Sequence, residues 1–340
     1  MEKKQLKYFY LFNFGLTILM AIPLAIAYTH EKDTSVFPLA QMLYPAFGVM
    51  MARLLTKGGP KKIFFPYLAG TGLIMLSSIA LYFTDSMVVN GLSQGLVILL
   101  SLYLLFQIRR LYKKDPEDLY ISGLHLGNVK KGMVWILFFL ATIFLRFILS
   151  HLLEGTMDEF LEILTRPRVI LAVLLLPVNF LFTWLVFFGE EYGWRYFLQP
   201  VLQKKYGVRK GIILVGLIWG MWHLPLNLMF YNTIDQGLLS VITQWITCIG
   251  YGIFFGYVYQ KTDSLWIVCF LHYVNNNLAV ILTGQGPEVL QNNVFTWSGV
   301  ALHGILTLVL FGGFLFVKEL RTRIPLPTMA ERLASKEISE

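Results

Sequence analysis

Apolar blocks of about 20 residues, separated by short polar segments, run through most of the chain. A helix needs about that length to cross ~30 Å of hydrocarbon, and only helices or closed barrels satisfy their backbone there. The blocks are continuous rather than alternating, which excludes the barrel. They predict an all-α, polytopic transmembrane helical bundle. Its spans, about ten at ~20 residues each, lie near residues 8–28, 36–55, 63–83, 91–108, 133–153, 169–203, 211–231, 238–260, 264–282 and 297–317. The second span is the weakest, because it contains Pro38, Pro45 and Gly48. The first could be a signal peptide, with basic residues ahead of it and Ala25 and Ala27 at a small-x-small site. Its apolar run is long for a signal and favours a retained anchor. The segment 154–168 reads as a short interfacial helix, the loop 109–132 as a surface segment, and the tail after Arg323 as solvated.

Composition agrees with this pattern. Hydrophobic residues make up 56% and charged residues 14%, where a soluble domain carries about 25% charged. The net charge of +8 is not spread as a nucleic-acid-binding surface would be. The basic residues sit in short clusters between spans, and no nucleic-acid partner is expected. With ten spans, 23 of the 28 Lys and Arg fall on the side of the N terminus and 3 on the other. Positive charge stays cytoplasmic, so an N-in/C-in topology follows. Cys248 and Cys269 lie inside apolar blocks. They are too few for a thiolate metal site and read as small core residues.

Ionisable groups inside spans are expensive, about 2.5–3.5 kcal/mol each, and mark function by default. Here they concentrate in three helices. The sixth span carries Gly189-Glu190-Glu191-Tyr192-Gly193-Trp194-Arg195, the seventh Trp219 through His223, Pro225 and Asn227, and the ninth His272 through Asn275, Asn276 and Asn277. Counted from the basic edge of each helix at 1.5 Å per residue, Glu190, His223 and His272 lie at similar depths of roughly 16–21 Å. If the helices are neighbours, the three side chains converge. Glu191 and Arg195 are i and i+4 and can pair. Glu190 is rotated by about 100° and can face the histidines. His272 and Asn276, also i and i+4, can address one ligand. A glutamate beside two histidines can activate water as a general base. Alternatively, a divalent ion, zinc in particular, could be held by Glu190, His223 and His272. The three separate helices and the lack of HExxH spacing favour Glu190 working with His223 without a tightly bound metal.

These residues resemble the family of CAAX proteases and bacteriocin-processing enzymes, the CPBP or Abi family of intramembrane endopeptidases. Its motif EExxxR matches Glu190, Glu191 and Arg195, its FxxxH matches Trp219 and His223 with Trp in the aromatic position, and its HxxxN matches His272 and Asn276. The run Gly252-xxx-Gly256 followed by Ser264-Leu265-Trp266 is also similar to the family. The resemblance implies a peptidase core at 169–285. Residues 1–168 would form an N-terminal transmembrane region, and 286–340 a last helix with a cytoplasmic tail. It implies Glu190 as catalytic base, His223 orienting the water, His272 and Asn276 binding the carbonyl or oxyanion, and Glu191 and Arg195 shaping the site. The Trp219 position reads as a packing aromatic. The substrate would be a peptide or protein at the lipid bilayer, either a prenylated C terminus or a bacteriocin or signal peptide, reached through a site open toward the cytoplasm.

Two other functions use the same residues. A non-catalytic immunity or scaffolding protein would keep the fold and tolerate Glu190→Gln. A secondary transporter would use the charges as an ion site, but no inverted repeat or paired broken helices are visible. His303 in the tenth span, with no acidic neighbour, reads as structural, and Arg146 as snorkelling to the outer interface.

Overall fold

The computed structural model describes residues 1–84, 86–291 and 293–339. The described residues are helical with short connections. In order they form α1 (Glu2–Thr29), α2 (Val36–Leu54), α3 (Lys61–Ala80), α4 (Ser86–Lys114), α5 (Pro116–Ile121), α6 (Val129–Glu154), α7 (Met157–Thr165) and α8 (Pro167–Glu191). A π-helical segment, Tyr192–Leu198, leads into α9 (Gln199–Tyr206), making one continuous rod from 167 to 206. Then come α10 (Val208–Trp222), α11 (Leu224–Met229), α12 (Gly237–Thr262), α13 (Leu265–Leu282), α14 (Trp297–Leu310), α15 (Glu319–Thr322) and α16 (Met329–Ser339).

Among the described residues, eight helical segments are long and apolar enough to cross a membrane, against the ten expected. The two other expected spans run between the same two ends of the bundle but miss that length-and-apolarity measure for different physical reasons. α14 has 14 residues, about 21 Å at 1.5 Å per residue, short of the ~30 Å needed. α2 is nearly long enough, but it carries Gln41 and Arg53 and most of it is buried in protein. It packs between α1, α3 and α8, so its sequence answers to neighbouring helices instead of lipid.

Close backbone approaches bring the core helices together. A Cβ on Gly189 would collide with the Met42 carbonyl oxygen, and one on Gly193 with the Pro45 ring, so α8 can lie against α2 only with glycine there. Gly252 of α12 faces Gly216 of α10, where an added Cβ would sit 3.2 Å from the Gly216 Cα. This small-residue contact joins the helices that carry the second sequence motif and the wall behind it.

The basic residues gather at one end of the bundle. Lys204 meets Glu331 at 2.5 Å and Glu2 at 3.7 Å, Lys261 meets Glu319 at 3.0 Å, and Arg53 meets Asp118 at 2.5 Å. The tail, expected to be solvated, instead docks at that end through α16. There Arg332 is buried, pairs with Asp263 at 2.9 Å and lies over the Tyr120 ring. The opposite end holds Lys32 over Tyr82, Arg168 donating to the Gly284 carbonyl at 2.6 Å, and Asn293 donating to the Tyr231 carbonyl at 3.1 Å. A short helix, α7, forms within the segment 154–168.

Candidate active site

The chemistry sits where α8 loses α-helical geometry. Glu190 and Glu191 close the α-helical part, and the next seven residues are π-helical. Such segments sacrifice regular hydrogen bonding and are frequent at functional sites. The two adjacent carboxylates point to different surroundings. Glu191, fully buried, takes Arg195 Nε at 3.0 Å on one oxygen and His272 Nδ1 at 2.9 Å on the other. A carboxylate only accepts, so this partner puts a proton on His272 Nδ1 and turns Nε2 away. Arg195 is itself fully buried, with its guanidinium 4.8 Å from the Trp219 ring and 5.8 Å from the Phe255 ring. Stacking on aromatic faces supplements the single ion pair.

Glu190 is held by indoles. Its Oε2 accepts from Trp219 Nε1 at 2.5 Å and, more weakly, from Trp194 Nε1 at 3.4 Å. Trp219 also anchors the second motif, because its backbone carbonyl accepts from His223 Nδ1 at 2.9 Å. The carbonyl fixes the proton on Nδ1 and leaves the Nε2 lone pair of a neutral His223 free. His223 stands at the break between α10 and α11. Pro225 cannot donate a backbone bond and is accepted only in the first turn of the new helix. Gln41 of α2 donates to the Trp222 carbonyl at 2.8 Å, capping the interrupted helix.

Glu190, Trp219, His223, Asn227, Tyr231, His272, Asn275 and Asn276 line one cavity of about 280 Å³. Asn275 donates its amide to Asn276 Oδ1 at 3.0 Å, which leaves the Asn276 amide N–H groups able to donate into the cavity. The equal depths read along three helices therefore correspond to one site. A larger groove of about 700 Å³ between α1 and α3 is lined by residues such as Leu19, Ile26 and Leu76 and offers no group for chemistry.

Residues 170–278 match the family described as Type II CAAX prenyl endopeptidase Rce1-like. The chain is a membrane peptidase with an Rce1-like segment. It is also 25% identical over 193 residues to a CAAX prenyl protease 2 of Methanococcus maripaludis, covering 54% of this chain and 68% of that one. No solved structure matches the chain. The match to the Rce1-like family includes all the residues of the three motifs and ends before α14.

Three features of the site add to what the motifs imply. First, Trp219 does more than pack, since it is the hydrogen-bond donor to Glu190 and the acceptor for His223. A phenylalanine could supply only the second contact. Second, the alternative metal set of Glu190, His223 and His272 lines one cavity without being grouped as a ligand cluster. Among the described residues no three His, Cys, Asp or Glu are grouped to hold a metal ion. Glu190 is turned onto the two indoles, and His272 is committed to Glu191. Third, the cavity extends toward the end of the bundle opposite the basic residues. The cavity continues past Tyr231 and Asn232 to Leu290, Asn293 and Phe295, at the end opposite Lys204, Lys261 and Arg332. Depth from the basic edge could be counted in sequence, but the direction of the mouth depended on which loops fold over the helices.

Arg146 also departs from its expected placement at the interface. It does not snorkel but points inward, donating to Tyr251 Oη at 2.8 Å and to His303 Nδ1 at 2.7 Å. The available signal was an arginine within a span, eight residues before the helix end.

Proposed function

We propose that the chain hydrolyses a peptide bond within the membrane, with Glu190 and His223 activating the attacking water. The observation that carries this reading is the convergence of Glu190, His223, His272 and Asn276 on one cavity. Water held between the Glu190 carboxylate and His223 Nε2 attacks the scissile carbonyl carbon, and its proton passes to Glu190. The tetrahedral oxyanion takes hydrogen bonds from the Asn276 amide and from Nε2–H of His272 acting as the imidazolium, whose Nδ1–H donates to Glu191. Glu190 then returns the proton to the leaving amine as the C–N bond breaks. Arg195 keeps Glu191 in place. The burial of these groups excludes bulk water and strengthens each interaction.

The basic end is the cytoplasmic end by the positive-inside rule, so both described termini lie inside and the cavity mouth lies on the far side. A peptide inserted in, or delivered to, the outer half of the membrane suits this mouth better than a prenylated cytoplasmic C terminus. Comparing membrane-associated peptides from cells making the wild-type chain and its E190Q variant tests the reading. Intact precursors should accumulate only with E190Q, and indistinguishable peptide profiles with equal protein levels would rule out the peptidase role for Glu190.

A further inference from the structure

A second polar cluster adjoins the catalytic cavity, and its Arg146 and His303 lie outside the segment matched to the family. Arg146 of α6 is half-buried and inward-facing. One Nη donates to Tyr251 Oη of α12 at 2.8 Å, and the other to His303 Nδ1 of α14 at 2.7 Å. A guanidinium only donates, so His303 must present a lone pair at Nδ1 and carry its proton on Nε2. Nε2 in turn lies 2.8 Å from Thr247 Oγ1, whose hydroxyl donates to the Thr243 carbonyl at 2.8 Å. Each link is satisfied with His303 neutral, and Tyr251 is neutral as a phenol. Neither partner cancels the arginine charge. Among the described residues no carboxylate lies within ion-pair distance of Arg146, whereas Arg195 and Arg332 each have one. An uncompensated cation at this depth is costly and marks a functional site.

The guanidinium borders its own cavity of about 130 Å³, lined also by Ile143, Phe147, Ser150, Tyr251, Asn275 and Ala279. Tyr251, Asn275 and Ala279 line the catalytic cavity as well. The two spaces therefore share a wall. α13 lays His272, Asn275, Asn276 and Ala279 along one face, over about 10 Å of helix. The smaller space has no room for a lipid headgroup with its glycerol, but it admits a carboxylate, which a guanidinium fork binds bidentately.

We infer that Arg146, positioned by Tyr251 and His303, binds the free C-terminal carboxylate of the peptide whose scissile bond lies at Glu190. This inference rests on the peptidase reading for the identity of the ligand, though not for the site itself. Arg146 is a specificity residue for substrates cut near their C terminus, and three helices supply it: α6, α12 and α14.

The test uses the full-length E190Q protein in detergent, so that binding is read without cleavage. The probes are a short apolar dansyl peptide ending in a free carboxylate, the same peptide ending in a carboxamide, and an amidated form ending in glutamate. Fluorescence anisotropy should show the acid bound about tenfold or more tightly than the amide, as for a hydrogen bond to a charged group. R146Q should bring the two within about twofold. R146K, which keeps the charge and guards against misfolding in R146Q, should restore part of the preference. Equal binding of acid and amide by the parent protein overturns the inference, as does an acid preference that survives R146Q. A glutamate-amide bound as tightly as the acid would keep the carboxylate site and assign it to a side chain. Acid preference in E190Q with no cleavage by the wild-type chain would sink the peptidase reading alone. Cleavage without acid preference would sink this inference alone.

Discussion

Trp219 donates its indole N–H to the Glu190 carboxylate at 2.5 Å, from a helix 29 residues further along the chain. A hydrogen bond to a charged group contributes about 1.5–3 kcal/mol, and here it also sets which way the proposed base points. W219F should therefore lower kcat by roughly tenfold to 100-fold while the protein folds normally, because a second ring fills most of the space. Cleavage assays on purified W219F check this. Wild-type turnover in that variant would reduce Trp219 to the packing aromatic that its motif suggests.

Glu191 holds two partners, and Arg195 beside it is fully buried. Removing one member of a buried pair costs about 3–5 kcal/mol, whereas replacing both by apolar groups is often close to neutral. E191A should destabilise the detergent-solubilised protein by that amount in denaturant or thermal unfolding. E191A combined with R195M should recover most of the stability without recovering activity, because His272 still lacks its acceptor. Equal stability of E191A and wild type would show that Arg195 is compensated elsewhere.

The sidedness of the cavity can be read directly. Cys248 and Cys269 are both buried, so single engineered cysteines report cleanly. Val294 is 80% exposed beside the mouth, and Lys205 is exposed at the basic end. On intact cells a membrane-impermeant maleimide should label V294C and leave K205C unlabelled until the membrane is opened. The reverse pattern would place the mouth in the cytoplasm and return a cytoplasmic C terminus to candidacy as substrate.

Docking of α16 should depend on pH. Burial pushes the Asp263 carboxyl up, but the His125 hydrogen bond and the Arg332 charge together outweigh it and hold it below the usual carboxylate range. A depressed folded-state value means the stabilisation is fully present above the ordinary aspartate pKa of about 3.9. It is then lost as pH falls through the folded-state value. Protection of the amides across 329–339 from hydrogen exchange, relative to their intrinsic rates, should be high at neutral pH and fall below about pH 4, and D263N should lower it at neutral pH but add little at the acid end. Exchange indifferent to both would mean that α16 is held by its apolar contacts at Met329 and Leu333.

The chain's own pattern determined the all-α membrane bundle and the residues at its centre. The reason is local: each span must satisfy its backbone alone, and each intramembrane charge stands out against apolar neighbours. Glu191 with Arg195, and His272 with Asn276, were legible because i and i+4 share a helix face. Tertiary structure decided what depends on neighbours far away in sequence. Trp219 became a donor only because α10 crosses α8 at Glu190, and Arg146 turned inward only because Tyr251 and His303 meet it from two other helices. α2 lost its lipid-facing character by packing among three helices. The far end of the cavity is lined by the loops carrying Tyr231 and Asn293. Hydropathy measures how a segment partitions into lipid, and it holds no information on which helices touch or which end of a shared cavity stays open.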